Sequence, residues 1–88
     1  MINLPKPINL HQPAEYLIEL QGRLPTKWSA SFDGMKMTTQ TSRGGFTITV
    51  LRGIVADQSA LHGILNLIRD LGLPLLKVEC LSITEIEP

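Results

Sequence analysis

Between Asp57 and Pro74 the chain carries a start signal, an apolar stripe and a stop signal for one helix, and this run constrains the fold more than any other part of the sequence. Asp57 has a short carboxylate suited to accept hydrogen bonds from the otherwise unpaired amides of a first helical turn. Leu61, Ile64, Leu65, Ile68 and Leu71 recur at separations of three, four or seven, which gathers them on one side of a helix. His62, Asn66, Arg69 and Asp70 fall on the more polar sides. Gly72 suits the left-handed residue that ends a helix, and Pro74 blocks continuation. The pattern predicts one amphipathic helix from Asp57 to about Leu71, and such a helix needs an apolar surface to lie on.

The rest of the chain offers that surface as strands. From Tyr16 the residues alternate, with Tyr16, Ile18 and Leu20 on one side and Leu17, Glu19 and Gln21 on the other, which is the period of a half-buried strand. Gly22 and Pro25 limit it, and Lys27-Trp28-Ser29 crosses toward the next element. Phe32-Asp33-Gly34 reads as a turn. Met35 and Met37 with the following threonines, then Ser42-Arg43-Gly44-Gly45, then the alternating Phe46, Ile48 and Val50 predict a hairpin. After Pro74, Leu75 to about Ile83 makes a last strand. The expected fold is therefore α+β, a four-stranded antiparallel sheet in the order β-β-β-α-β with one helix on one face. Residues 1–13, with Pro5, Pro7 and Pro13, read as a proline-rich extended arm or a disordered tail, and 14–88 as a single domain. A chain of 88 residues holds one hydrophobic core.

One helix covers one face of a sheet. Leu17, Leu51 and Leu81 are expected on the second face beside Glu19, Lys77 and Glu79, a mixed surface open to water, covered by the arm, or shared with a second copy; self-association is the favoured outcome. Trp28 and Phe32 either anchor a partner or close the open end of the core. Gly53 is expected to need an unusual backbone angle in the crossover to the helix, and Gly63 to mark close packing against the sheet or another subunit.

Chemistry has little to stand on. Asp57, Gln58 and His62 cluster at the helix start, and a carboxylate beside a histidine suits proton exchange. The cap already explains Asp57, however, and no nucleophile stands at a diagnostic spacing. His11, His62 and Cys80 are too few and too scattered for a zinc site, so neither metal nor cofactor is expected. Cys80 reads as a small buried hydrophobe. The glycines form no phosphate-cradling fingerprint. Eight basic side chains balance eight acidic ones, which gives nucleic acid or anionic lipid little long-range attraction. No apolar run approaches the roughly 20 residues of a membrane helix, nothing resembles a signal peptide, and the expected location is the cytoplasm.

Trp28-Ser29, Phe32-Asp33-Gly34, the stretch from Leu51 to Leu65 and Ile68-Arg69-Asp70-Leu71-Gly72-Leu73-Pro74 together resemble a widespread group of short uncharacterised bacterial proteins common in cyanobacteria. The resemblance runs from about Tyr16 to Cys80, and its most specific part is Asp57-Gln58-Ser59-Ala60-Leu61-His62-Gly63, where Ser59 stands at a position that often carries alanine. It implies a compact autonomous domain and brings no activity with it. The leading functional expectation is a non-catalytic protein-interaction or regulatory module, homo-oligomeric, with another protein as a further partner. A small-molecule sensor with a pocket near the helix start comes second, and an enzyme of unspecified reaction using Asp57 and His62 third.

Overall fold

The computed structural model describes residues 11–25, 27–28, 32 and 34–83. The expected arm up to residue 10, and Ser29 and Asp33 of the expected crossover and turn, lie outside the described residues. The elements are β1 (Ala14–Gln21), β2 (Lys36–Thr41), β3 (Thr47–Val55), α1 (Gln58–Asp70) and β4 (Leu75–Ile83), the order read from the sequence. The strands form one four-stranded sheet in the spatial order β2-β3-β1-β4, with every neighbouring pair antiparallel. Because β3 and β4 both run against β1, they are parallel to each other with β1 inserted between them. Parallel strands need a long connection, and α1 is that crossover.

Local chemistry sets each boundary. In the β2–β3 hairpin the Ser42 amide donates to the Phe46 carbonyl at 2.8 Å and the Gly45 amide to the Ser42 carbonyl at 3.0 Å, with Gly45 at φ +83°. At the helix start the Asp57 carboxylate accepts from the Ala60 amide at 2.8 Å. At its end Gly72 sits at φ +78°, its amide donating to the Arg69 carbonyl at 3.0 Å while the Leu73 amide donates to the Ile68 carbonyl at 3.3 Å. Those two bonds make the Schellman termination, and Leu73 packs on the core beside it.

The core lies on one face of the sheet and is roofed by two segments. α1 buries Leu61, Ile64 and Ile68 over it. The chain between β1 and β2 adds Leu24, Phe32 and Met35, all buried. Beneath them β1 contributes Ala14, Tyr16, Ile18 and Leu20, and β4 contributes Val78 and Cys80. Two glycine expectations need correction. Gly53 is inside β3 without a positive φ; a Cβ there would stand 2.9 Å from the Met35 Cα, so the need is for close approach of the β1–β2 segment. Gly63 is exposed, and a Cβ there would meet nothing within 4 Å among the described residues, so the sheet does not pack closely on it.

Candidate functional site

The sheet face away from the helix follows from strand parity and register. β1 turns Glu15, Leu17, Glu19 and Gln21 to it, since its alternate residues are buried under the helix. The pairings Glu15↔Ile54, Leu17↔Arg52, Glu19↔Val50 and Gln21↔Ile48 place four residues of β3 on the same face. From β2 come Lys36, Thr38 and Gln40, and from β4 Lys77 and Glu79. Leu17, Ile48 and Val50 are half-buried along the two central strands, and Ile54 is 60% exposed. Charges are interleaved with them. The Arg52 Nε is 3.0 Å from Glu15 Oε2, and the Lys77 Nζ is 3.2 Å from Glu79 Oε1. Glu15 also accepts from the Ser82 hydroxyl at 3.3 Å. Exposed ion pairs of this kind add little to stability.

The structure divides the residues singled out by sequence among four places. Leu17 lies on the open face as expected. Leu51 does not: it is fully buried opposite Ile18 on the helix face, because register with β1, and not its own neighbours, sets the parity of β3. Leu81 is half-buried at the irregularity where β4 slips against β1 between Glu15 and Tyr16. Phe32 is fully buried and belongs to the core, which removes it as a surface anchor. Trp28 is half-buried against that core, its amide bonded to the Pro25 carbonyl and the Lys27 ammonium 5.8 Å from its ring centre.

Asp57, Gln58 and His62 do come together, at the helix start. With His11 and Ser59 they line an open depression of about 370 Å³. Asp57 is occupied as the cap, and the Gln58 amide donates to the Tyr16 hydroxyl, tying the helix to the central strand. Burial raises the Tyr16 phenol, helped by Cys80 and opposed by the Gln58 bond. Burial likewise raises the Cys80 thiol, which keeps it protonated and unreactive. Among the described residues no group of three or more histidines, cysteines or carboxylates is placed to hold a metal ion.

Sequence reasoning missed Ile48, Val50 and Ile54 as members of the open face. β3 is apolar on both sides, so its own alternation does not say which side is covered. A signal was nevertheless present in Arg52, an unpaired-looking charge whose neighbours two places away share its face. A family model spans residues 15–79, well over half the chain. The chain belongs to DUF8691, a domain of unknown function. No curated protein and no solved structure matches it. The DUF8691 span takes in the whole of α1 and all of the open face up to Glu79, and leaves Leu81 beyond its end. No helix among its described residues is long and apolar enough to cross a membrane.

Proposed function

We propose that this DUF8691 domain is a non-catalytic protein-interaction or regulatory module that works in the cytoplasm as a homo-oligomer, with the open face of the sheet as its contact surface and a second copy as the occupant. The observation that supports this reading is the set Leu17, Ile48, Val50 and Ile54 on the two central strands, left uncovered by the described residues and interleaved with Glu15, Glu19 and Arg52. Apolar side chains left together on an uncovered face mark a candidate contact surface. Light scattering over a range of concentrations tests it: a mass above that of one chain is expected, and Val50→Lys should return the protein to a monomer. A wild-type protein that stays monomeric at every concentration would sink the reading.

The depression at the helix start favours a second reading, a sensor of small molecules. It collects two imidazoles, a carboxylate and a hydroxyl at one place. A thermal-shift screen against a broad metabolite panel tests it, with the response expected to vanish in His62→Ala; no response in the wild-type protein counts against it.

A further inference from the structure

The charges on the open face are not mixed at random. Its β2–β3 half carries Lys36 and Arg52, while its β1–β4 half carries Glu15, Glu19 and Glu79 against Lys77. One half thus bears two net positive charges and the other two net negative ones. Lys36 and Glu19 have no ion-pair partner among the described residues.

Resting on the self-association reading above, we propose the arrangement of the two copies: they stack open face to open face about a two-fold axis running along the strands, with β2 of one over β4 of the other and β3 over β1. Sheets that pack face to face keep their strands nearly aligned, about 10 Å apart. Two such stackings have two-fold symmetry. With the axis across the strands, each half lies on its own kind and positive faces positive. With the axis along the strands the halves are exchanged, so Lys36 and Arg52 lie over the acidic half of the second copy. With the halves exchanged row for row, Arg52 lies over Leu17 of the second copy, Val50 over its Glu19 and Ile54 over its Glu15. Each Arg52 then stands between Glu15 and Glu19 of the second copy, so charge complementarity supplies the attraction and selects the orientation by penalising the alternative.

The pairing register makes a specific contact. Lys36, Arg52, Leu17 and Glu79 stand side by side in one row across the four strands. Exchanging the halves sets Lys36 over Glu79 of the second copy, where it joins the Lys77–Glu79 pair. Within one chain the two residues are three strand spacings apart, roughly 14 Å, which a zero-length cross-link does not span.

The test uses the full chain. Lys36→Glu combined with Arg52→Glu makes both halves acidic, and Glu19→Lys combined with Glu79→Lys makes both halves basic. Each double variant alone should sediment as a monomer, and a mixture of the two should form a heterodimer, with circular dichroism confirming that each is folded. Should a variant misfold, unaltered chains decide: carbodiimide cross-linking of mixed isotopically light and heavy protein should give a Lys36–Glu79 link that joins a light to a heavy peptide. The wild-type dimer should also weaken at least several-fold from low to high salt. A wild-type dimer that ignores both charge reversals, or yields no such link, is arranged in another way; that overturns this arrangement while self-association stands. A strict wild-type monomer overturns both.

Discussion

Thr49 shows how much one side chain decides at the scale of a residue. It is fully buried on β3, donates its hydroxyl to the Gly22 carbonyl at 2.7 Å and accepts from the Leu24 amide at 3.3 Å. Those bonds satisfy the backbone where the chain leaves β1 and turns back over the core. Read as sequence, Thr49 is only a strand-favouring residue; its partners lie more than twenty positions away. Thr49→Val keeps the shape and orphans both groups, so urea unfolding should show a loss of about 1–3 kcal/mol, with Thr49→Ser losing less. Tyr16 and Cys80 yield a prediction about pH. Both hold their protons more tightly in the native state, chiefly through burial, so rising pH ionises them first in the unfolded chain. The unfolded state then binds fewer protons than the native one, and stability falls as pH rises. Urea midpoints should be level near neutrality and decline above about pH 9, the ordinary range of the thiol. Tyr16→Phe should flatten the upper part of that decline.

At the scale of the element, α1 behaves as its sequence says. Its cap, stripe and glycine stop act within a few residues of one another, so Asp57→Ala should cost about 1 kcal/mol by loss of the Ala60 bond. Gly63 is the exception inside this helix. With open space where its Cβ would stand, Gly63→Ala should stabilise the protein by roughly 0.5–1 kcal/mol, seen as a raised melting temperature. A loss instead would mean that another subunit packs on that surface. The strand β3 is the opposite case. Thr49, Leu51 and Val55 on one side and Ile48, Val50 and Ile54 on the other both suit burial, and only the partner strand chooses between them.

For the whole molecule the decisive feature is the single roof. A domain of this size buries only about 60–65% of its extended-chain surface, and here all the described cover lies on one face. If two copies share the other face, association adds to stability by mass action. The midpoint of thermal unfolding should then rise with protein concentration, equivalent to about 1.4 kcal/mol per dimer for each tenfold increase. A midpoint independent of concentration marks a monomeric unfolding unit.

The sequence by itself determined the pieces: the helix with both its ends, the Ser42–Phe46 turn, the last strand from Leu75 to Ile83 and the β-β-β-α-β order. These depend on caps, glycines and periodicity, which act between residues close along the chain. Tertiary structure alone decided that β1 runs through the middle, that the segment holding Leu24, Phe32 and Met35 shares the roof with α1, and that Leu51 is inside while Val50 and Arg52 are outside. The candidate face belongs to this second group. Its membership depends on the register between strands some 30 positions apart in the chain, and that register is set by the core as a whole: slipping β3 by one residue would expose Leu51 and bury Arg52, at a cost no local pattern in β3 reveals.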